Sequence, residues 1–461
     1  MEILKRSRVA ILGTGREGQV AWRHLREKYP DIDLALIDES CPDPEFARQL
    51  TGRDSLKTGP LSEAELETFD VLVRSPGVSP YRNSMQRALA AGAKVITPST
   101  LWFAENPSAK TICVTGTKGK STTSALIAHM LKACGLQVCL AGNIGLPLLA
   151  CQDREADWWV IELSSYQLAD LQAKPDISVF LNLSSEHLDW HGNEQRYRQD
   201  KLRLVALAQA RPVIANASDE ALHKKLGGRK NTAWFNAEKG FRVVGSDLYD
   251  GDTRLSAKPP PGLPGRHNLA NIAAALTVLR SAGAEPQTGL ESLQTFSCLP
   301  HRLQSLGERG GVQFVNDSIS STPVSTAAAL EAFFDREVTL IVGGFDRGLD
   351  WKPYMDTVRS RLPLAIIGIP DNGSRIIAEM EQLDIIPRKG LHRCQQLSEA
   401  VELAKKLTPA GGVALLSPGA PSFPQFQDYR DRGQQFAGLC GFSFNERDVF
   451  SADTNKAAGQ G

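Results

Sequence analysis

Glycine, lysine and hydroxyl residues coincide after a short β-branched run near residue 111. Residues 111–114 read Thr-Ile-Cys-Val, and Gly116, Gly119, Lys120 and Ser121 follow directly. Glycines let backbone N–H groups surround phosphate oxygens, a lysine can reach the β- and γ-phosphates, and a hydroxyl can ligate Mg²⁺. The segment predicts a loop that binds a nucleoside triphosphate, although its glycines are two residues closer together than in the usual P-loop. The alternative is a glycine-rich turn with an incidental lysine.

Oxygen and nitrogen ligands stand at the ends of two later strand-like runs. Glu162 follows the run 159–161, and His187 closes the stretch Asn-Leu-Ser-Ser-Glu-His. Mg²⁺ ions that bridge phosphates take carboxylate and hydroxyl ligands, so Ser121 and Glu162 predict one metal site, with His187 as part of a second. His187 and His191 are also spaced i, i+4, as in half a zinc site, but no third ligand at a suitable spacing supports zinc.

A second glycine-rich turn follows the strand-like run 9–12. Gly13, Gly15 and Gly18 give the pattern Gly-x-Gly-x-x-Gly, and Asp38 stands at the end of the next strand. This matches a dinucleotide fingerprint, but the same turn and helix dipole would bind any diphosphate, including that of a nucleotide-sugar. The sequence Arg74-Ser-Pro-Gly adds another turn at the end of a further strand. A tight turn that only packs a helix against a strand is the alternative.

Short β-branched runs alternate with longer helical patterns along the chain. The runs lie at 9–12, 34–37, 71–73, 111–114, 159–161, 177–180, 338–342, 364–367 and 413–416. Such alternation is typical of βαβ units and predicts an α/β fold with mostly parallel sheets. The strands form three groups, and a helical pattern over 268–282 follows the proline-rich segment 258–265. We therefore predict three domains, 1–98, 99–302 and 303–461, with hinges near 98–102 and 299–302.

Length and charge narrow the classes of function. The chain has 461 residues, more than one ordinary core accommodates, and its 52 Lys and Arg balance 52 Asp and Glu. Because no global positive field would attract phosphate backbones or anionic lipid, neither a nucleic acid nor a membrane is expected as a partner. No apolar run approaches the roughly 20 residues that span a bilayer, and residues 1–12 lack a signal-peptide pattern, so a cytoplasmic location is predicted.

The motifs resemble those of the Mur ligases, in the same order and over nearly the whole chain. They are the phosphate loop at 116–122, Gly-Asn-Ile-Gly at 142–145, Glu-Leu-Ser-Ser-Tyr-Gln-Leu at 162–168, the block 182–187, Tyr-Arg-Gln-Asp-Lys at 197–201 and Leu-Pro-Gly-Arg-His-Asn-Leu-Ala-Asn at 263–271. The stretch 416–433 resembles the branch that adds glutamate to UDP-N-acetylmuramoyl-L-alanine. An ordered set of this kind is more specific than any one loop.

The resemblance implies an architecture and a reaction. A Rossmann-like UDP-sugar-binding domain, a central P-loop ATPase domain and a Rossmann-like amino-acid-binding domain are expected in turn. In the family reaction, used in peptidoglycan precursor synthesis, ATP phosphorylates the alanine carboxylate and the amine of glutamate then displaces phosphate. ATP and two Mg²⁺ ions are the implied cofactors, the implied partners are the small-molecule substrates, and a monomer is expected.

The resemblance also assigns residues to ligands. The implied ATP-binding residues are Gly116, Thr117, Lys118, Gly119, Lys120, Ser121, Thr122, Asn268, Asn271, Arg302 and Asp317. The implied UDP-sugar-binding residues are Gly13, Thr14, Gly15, Asp38, Ser75, Gly77 and Asn143. The implied amino-acid-binding residues are Ser321, Arg347, Ser422 and Tyr429, with Tyr429 in place of a more usual Phe.

Catalysis and metal binding share residues in this resemblance. The implied catalytic residues are Lys120, His187 and Lys201, and the implied metal ligands are Ser121, Glu162, His187 and Lys201. Lys201 occupies the position of a lysine that is carbamylated in the family, which turns a cation into a carboxylate-like ligand for the second Mg²⁺. An ordinary surface lysine on a helix is the alternative.

Four departures from the usual D-glutamate-adding pattern bear on substrate chirality. Ile319 stands where a lysine is common, Arg347 replaces a second lysine, and Lys118 replaces an asparagine of the phosphate loop. The fourth is the first glycine-rich turn, which reads Gly-Arg-Glu-Gly at 15–18. Arginine offers a planar fork instead of a point charge, so the carboxylates would be held differently. These departures resemble the branch that attaches L-glutamate, whose product requires a separate epimerase. Addition of D-glutamate remains the alternative.

Three other functions stay open at this point. A nicotinamide-dependent oxidoreductase built on Gly13, Gly15 and Gly18 would leave the phosphate loop unexplained. A non-catalytic P-loop nucleotide-binding module would need a partner surface that the sequence does not identify. A folyl-polyglutamate ligase would share the central domain without requiring a UDP-binding first domain.

Overall fold

The structure is a computed structural model that describes residues 4, 7–41, 44–184, 186, 188–256, 263, 267–296 and 299–443. It divides into two compact units, the first made of 1–257 with 270–292 and the second of 258–269 with 293–461. Both are built mostly from parallel β-sheets with helical connections, which confirms the predicted α/β fold class. Among the described residues, no helix combines the length and apolar character needed to cross a membrane.

The first sheet of the first unit is parallel, with strand order β3-β2-β1-β4-β5. Its strands are β1 (Val9–Leu12), β2 (Leu34–Asp38), β3 (Asp54–Thr58), β4 (Val71–Arg74) and β5 (Lys94–Ile96). The helices of this region are α1 (Arg16–Lys28), α2 (Pro44–Ala47), α3 (Glu63–Leu66), α4 (Asn83–Ala90) and α5 (Pro98–Glu105). Because strand order reverses between β1 and β4, the loops that follow these two strands border the crevice where such sheets bind ligands.

The second sheet of the first unit is also parallel, with order β11-β10-β9-β6-β8-β7. Its strands are β6 (Thr111–Thr115), β7 (Val138–Gly142), β8 (Trp158–Glu162), β9 (Ile177–Phe180), β10 (Val213–Asn216) and β11 (Thr232–Phe235). The helices are α6 (Lys120–Ala133), α7 (Ser165–Leu168), α8 (Leu188–His191), α9 (Glu194–Ala208) and α10 (Glu220–Leu226). Strand β6 is central and buried along its whole length, so its carboxyl end fixes the loop that follows it.

A small antiparallel sheet follows, formed by β12 (Phe241–Val244), β13 (Asp247–Asp250) and β14 (Thr253–Ser256). Helices α11 (His267–Ala282) and α12 (Pro286–Ser292) come next along the chain. The sequence analysis did not predict this sheet, because three four-residue strands joined by tight turns lack long apolar runs. Helix α11 begins one residue before the predicted helical pattern.

The second unit carries a sheet of order β15-β16-β20-β17-β18-β19, parallel except for the β15–β16 pair. Its strands are β15 (Gln304–Arg309), β16 (Val312–Asn316), β17 (Val338–Gly344), β18 (Ala365–Asp371), β19 (Leu391–Arg393) and β20 (Val413–Leu416). Its helices are α13 (Pro323–Glu331), α14 (Lys352–Ser360), α15 (Asn372–Gln382), α16 (Leu397–Leu407) and α17 (Tyr429–Leu439). The adjacent strands β16, β20 and β17 send three loops to one edge of this sheet.

Candidate active site

The turn after β1 packs too tightly to accept side chains at its glycines. A Cβ at Gly18 would lie 1.9 Å from the carbonyl oxygen of Gly13, and Gly13 has φ +84°. Ser75, at the end of β4, donates its hydroxyl to the same carbonyl at 2.8 Å. The glycine pattern therefore brings helix α1 against the turn and joins the loops of β1 and β4 at the switch point.

Asp38, at the end of β2, holds this turn in place. One carboxylate oxygen accepts hydrogen bonds from the backbone N–H and the hydroxyl of Thr14, and the other accepts two from Ser40. Burial favours the neutral acid, but these hydrogen bonds outweigh it and lower the pKa of Asp38. The carboxylate thus shapes the turn as an ionised group whose oxygens already have protein donors.

A cavity of about 690 Å³ opens at this edge of the first sheet. Six of the seven residues predicted for the UDP-sugar line it, namely Gly13, Gly15, Asp38, Ser75, Gly77 and Asn143. Thr14 is buried beneath the turn and makes the bonds to Asp38. Arg16, Glu17, Arg82 and Gln167 also line the cavity, and the sequence analysis gave them no role. Arg16 and Glu17 fall between the glycines of the pattern at 13–18 and Gln167 falls inside the motif 162–168, whereas nothing in the sequence pointed to Arg82.

A larger cavity of about 930 Å³ lies at the opposite edge of the same sheet. It is lined by residues that begin strands, such as Val9, Leu34 and Asp54. Ligands of open parallel sheets bind at the carboxyl ends of the strands, so this second cavity is the weaker candidate.

The first two sheets are joined by an ion pair whose arginine is buried and whose aspartate is partly exposed. Arg74 is fully buried, and two of its nitrogens lie 2.7 and 2.6 Å from the carboxylate oxygens of Asp170. Trp190 adds a hydrogen bond from its indole to the carbonyl of Gly77, at 3.2 Å. The first predicted hinge, 98–102, lies in helix α5, whose Trp102 is fully buried and packs on Trp159. The segment is therefore a packed helix and not an open linker, and bending there stays a prediction.

The phosphate loop joins the carboxyl end of β6 to the start of α6. A Cβ at Gly116 would lie 2.9 Å from Leu181, and one at Gly119 would lie 2.6 Å from the side-chain oxygen of Asn271. Asn182 holds the loop from the other side, since its side chain accepts from the N–H of Lys118 and donates to the carbonyl of Lys118. The loop is therefore close-packed and preformed, as phosphate binding at a helix N-terminus requires.

The functional groups of the loop point in different directions. The hydroxyl of Thr117 is buried and bonds to the carbonyl of Ser184 at 2.8 Å, so Thr117 supports the loop. Lys118 is exposed and pairs with Glu186, whereas the ammonium of Lys120 folds back onto the carbonyl of Thr117 at 3.0 Å. Ser121 and Thr122 lie half-buried on the first turn of α6. Two cations and two hydroxyls thus stand where phosphates would bind.

Glu162 ends β8, next to β6, with its side chain buried. One carboxylate oxygen accepts a hydrogen bond from the amide of Asn143 at 2.7 Å. The other is buried and has no hydrogen-bond partner within the described residues. A buried carboxylate oxygen without a donor is costly, and a cation would satisfy it.

Lys201 lies on α9 with its side chain buried. Its side-chain nitrogen is 2.8 Å from the carbonyl oxygen of Gly116, at the start of the phosphate loop. Burial, assisted by the nearby positive charge of Lys120, lowers the pKa of Lys201 well below its usual range. The alternative of an ordinary surface lysine is therefore wrong.

Of the two histidines in the i, i+4 pair, only His191 lies within the described residues. His187, predicted as a catalytic and metal-binding residue, lies outside the described residues. His191 is buried, with one ring nitrogen 2.6 Å from Asp200 and the other 3.0 Å from Ser165. Both nitrogens are engaged, and the described residues hold no group of three or more His, Cys, Asp or Glu suited to a metal. Because both of its ring nitrogens are engaged, His191 is not available as a zinc ligand in this arrangement.

Asn268 and Asn271 are buried near the start of α11. The side-chain oxygen of Asn271 accepts a hydrogen bond from Thr123 of α6 at 3.2 Å, which places it beside the phosphate loop. The family resemblance implies that Asn271 contacts the nucleotide, which stays a prediction; in the structure Asn271 packs against Gly119.

Asp317 and Arg302 lie in the second unit. Asp317 accepts hydrogen bonds from the hydroxyls of Ser320 and Ser417 and from the N–H of Leu303. Burial nevertheless raises the pKa of Asp317 to about 6. Arg302 is half-buried next to Leu303. Asp317 thus organises the loops after β16 and β20, in addition to any nucleotide contact it makes.

The predicted amino-acid residues lie on the three loops that follow β16, β17 and β20. Ser321 is half-buried, Arg347 is exposed, Ser422 is buried and Tyr429 begins α17. The N–H of Gly419 bonds to the carbonyl of Ser320, and the N–H of Phe345 bonds to that of Pro421, so the three loops are joined.

Sequence analysis missed Arg432, which braces two of these loops. Its side chain is fully buried and donates to the carbonyl of Ser318 at 2.7 Å and to that of Ala420 at 3.1 Å. Burial lowers the pKa of Arg432 to about 9. The stretch 416–433, which ends with Arg432 and Gly433, was the only signal, and it carried no indication of burial.

Comparison with known proteins gives two family matches along the chain. The family described as "Mur ligase MurD-like, N-terminal domain" matches residues 7–97, and "Mur ligase middle domain" matches residues 114–279. Together they include the phosphate loop, Glu162, Lys201 and the residues named above as lining the cavity of about 690 Å³. The chain belongs to the Mur ligase family, and it is accordingly a ligase.

Three relatives of this chain carry one protein name that is more specific than the family name. A protein of Xanthomonas oryzae pv. oryzae (strain MAFF 311018) is 43% identical over 94% of this chain and 95% of its own length. One from Xylella fastidiosa (strain 9a5c) is 43% identical over 95% and 96%, and one from Salinispora tropica is 38% identical over 94% and 97%. Each is named "UDP-N-acetylmuramoyl-L-alanine--L-glutamate ligase".

Solved structures share the fold at low identity. The UDP-N-acetylmuramate-alanine ligase MurC of Thermotoga maritima aligns with a TM-score of 0.61 at 18% identity, covering 94% of this chain and 99% of its own. MurF ligase from the same organism, solved with ADP, gives 0.59 at 18%, covering 96% and 95%. FolC of Escherichia coli gives 0.54 at 16%, covering 74% and 93%. These likenesses concern the fold alone.

Proposed function

We propose that this chain is an ATP-dependent ligase that joins L-glutamate to UDP-N-acetylmuramoyl-L-alanine during peptidoglycan precursor synthesis. The printed name of its relatives supports this substrate pair. The observation that carries the proposal is the clustering of the phosphate loop, Glu162 and Lys201 beside the cavity that Asn143 lines. Asn143 contacts Glu162 directly, so the group that borders the cavity also touches the nucleotide site.

The first chemical step transfers the γ-phosphoryl group of ATP to the alanine carboxylate. A carboxylate oxygen attacks phosphorus, the bond to the β-γ bridging oxygen breaks, and ADP leaves. Lys120 and the N–H groups at the start of α6 would stabilise negative charge on the transferred group. Activation is needed because a free carboxylate is a poor acceptor for an amine.

The second step forms the amide bond. The neutral amine of glutamate attacks the acyl carbon, and the tetrahedral intermediate collapses with loss of inorganic phosphate. The chain must hold the dianionic amino acid near a second anion, which requires positive charge in the second unit. Arg347, Ser321, Ser422 and Tyr429 are the proposed contacts, and Arg432 fixes the loops that carry Ser321 and Ser422.

The residues present suit Mg²⁺. Ser121 offers a hydroxyl, and the buried unpartnered oxygen of Glu162 offers a hard anionic ligand. When bound, Mg²⁺ would neutralise phosphate charge. For a second ion we propose His187 and Lys201, with Lys201 carbamylated. Carbamylation joins a neutral amine to CO₂ and releases a proton, so an amine whose pKa is lowered by burial is suited to it.

The domain division 1–98, 99–302 and 303–461 remains a proposal, with UDP-sugar, ATP and amino acid assigned to the three domains in turn. Monomeric action and, because the product would contain L-glutamate, a later epimerase are also proposed. ATP and UDP-sugars are cytoplasmic metabolites, and on that chemical ground the enzyme is expected to act in the cytoplasm. Size-exclusion chromatography with light scattering would test the monomer.

The purified protein should be assayed with ATP, UDP-N-acetylmuramoyl-L-alanine and either L- or D-glutamate. Inversion of the α-carbon exchanges the directions of the amine and the carboxylates, and a misplacement of about 1 Å can cost about 10²-fold in rate. We expect kcat/KM to be higher for L-glutamate. A preference for D-glutamate would overturn the chirality, and reaction with neither isomer would overturn the amino-acid assignment.

Three controls distinguish the proposed function from the alternative functions. Phosphate release that requires both the UDP-sugar and glutamate would exclude a non-catalytic nucleotide-binding module. Competition by UDP would exclude a folyl-polyglutamate ligase, which shares the fold but needs no UDP site. Tight NADH binding without ATP binding would instead support an oxidoreductase.

A further inference from the structure

A carboxyl group lines the cavity in which the diphosphate is expected to bind. Glu17 lies in the first turn of α1, two residues after Gly15, and borders the cavity together with Gly13 and Gly15. The N-terminus of a helix after a glycine turn attracts phosphate. An ionised Glu17 would oppose the same phosphate by like-charge repulsion.

The orientation of Glu17 is fixed by a neighbour on α7. The side-chain amide nitrogen of Gln167 donates to one carboxyl oxygen of Glu17 at 2.9 Å. The amide oxygen of Gln167 accepts from the N–H and hydroxyl of Ser164, so the amide cannot reverse without losing both bonds. One oxygen of Glu17 is thereby an acceptor, and the other is left to carry a proton.

We propose that Glu17 is protonated when the UDP-sugar is bound and donates a hydrogen bond to its diphosphate, so that binding takes up one proton from solvent. The inference rests on the proposed UDP-sugar site and concerns how that site accommodates its ligand. A neutral acid removes the repulsion and adds a donor, as an ionised carboxylate cannot.

The other charged groups around Glu17 are engaged by protein partners. Arg16, on the same helix, directs its guanidinium to the carbonyl of Gly145. At the end of β2, Asp38 is bound by Thr14 and Ser40, and Glu39 pairs with Arg82 of the facing loop. Burial raises the pKa of Glu17 to about 7, against smaller opposing effects of Gln167 and Arg16. The group can therefore gain a proton near neutral pH.

The sign of the pH dependence follows from linkage. The protonated form binds the diphosphate better, and above pH 7 the protonated fraction of the free protein falls about tenfold per pH unit. The Kd for the UDP-sugar should therefore rise with pH, by up to tenfold per unit, until the pH passes the higher pKa of Glu17 in the complex.

Titration calorimetry with UDP-N-acetylmuramoyl-L-alanine tests this in two buffers of different ionisation enthalpy. The diphosphate of this probe is a diester and does not titrate near neutral pH. At pH 7.5 a group of pKa about 7 is roughly one-quarter protonated, so uptake of about three-quarters of a proton is expected. Glu17→Gln, which keeps a donor, should bind without proton uptake, whereas Glu39→Gln should retain the uptake.

The possible outcomes distinguish failure of the proposed UDP-sugar site from failure of the proposed protonation of Glu17. Saturable binding by the wild-type protein without proton uptake would overturn the role of Glu17 and leave the UDP-sugar site intact. Equal uptake by Glu17→Gln would overturn it as well. No saturable binding by the wild-type protein at any pH from about 6 to 9 would overturn the UDP-sugar site, and the proposal with it.

Discussion

The side-chain nitrogen of Lys201 lies 2.8 Å from the carbonyl oxygen of Gly116, the first glycine of the phosphate loop. Lys201 is 81 residues further along than Lys120, yet the positive charge of Lys120 helps to lower its pKa. A buried amine at this point cannot be an idle surface group. At this position Lys201 would be either a metal ligand after carbamylation or a structural support of the phosphate loop. The two roles differ in whether added carboxylates restore activity when Lys201 is replaced.

Lys201→Ala should be nearly inactive as a ligase and should recover partly with added acetate or formate. A small carboxylate can occupy the space of the lost carbamate and supply the missing oxygen ligands. Steady-state release of phosphate, measured with both substrates, gives the readout. Acetate should not restore the activity of Lys120→Ala, because that variant lacks a cation and not a carboxylate-like ligand. Wild-type activity in Lys201→Ala would show that no carbamate is required.

Lys120→Ala should lower kcat/KM by at least about 10²-fold, because the variant loses a cation at the developing phosphate charge. The fold should persist, since the side chain of Lys120 is half-buried and its ammonium bonds to the carbonyl of Thr117 within the same loop. Lys132→Ala, in the last turn of the same helix, is the matched control and should retain activity. Substantial activity in a folded Lys120→Ala would contradict the assignment of this loop.

Gly18→Ala should destabilise the protein by about 1–3 kcal/mol through overpacking, because its new Cβ would lie 1.9 Å from the carbonyl oxygen of Gly13. Gly52→Ala provides the control, since a Cβ there meets no atom within 4 Å among the described residues. The control should change stability by less than about 0.5 kcal/mol. Chemical denaturation followed by circular dichroism compares the two, and equal stabilities would contradict the close approach of α1 to the turn.

Arg74→Met should cost about 3 kcal/mol of unfolding free energy, because it leaves the carboxylate of Asp170 without its buried partner. The pair Arg53–Asp33 is exposed, and Arg53→Met should cost less than about 1 kcal/mol. Thermal unfolding of both variants, and of Arg74→Met with Asp170→Asn, measures the coupling. Additive losses in the double variant would show that the two residues do not stabilise each other.

Sequence predicted the elements whose patterns are local. Strand β1 was predicted with its observed limits because its four residues are apolar and buried on both faces. Strand β3, Asp-Ser-Leu-Lys-Thr, was missed because four of its five residues are exposed at the sheet edge. Its strand conformation depends on pairing with β2, which the local sequence does not encode.

The phosphate loop and its chemistry were determined by the sequence itself, because glycine, lysine and serine must be adjacent along the chain to form it. Only the tertiary structure decided which distant groups surround that loop. Three contacts around the site join residues that are at least 19 positions apart in the sequence: Lys201 with Gly116, Glu162 with Asn143, and Glu17 with Gln167. The same packing buries Lys201 and leaves the other carboxylate oxygen of Glu162 without a partner among the described residues. Desolvation and hydrogen bonding depend on the completed packing, so the protonation states that matter here emerge only in the fold.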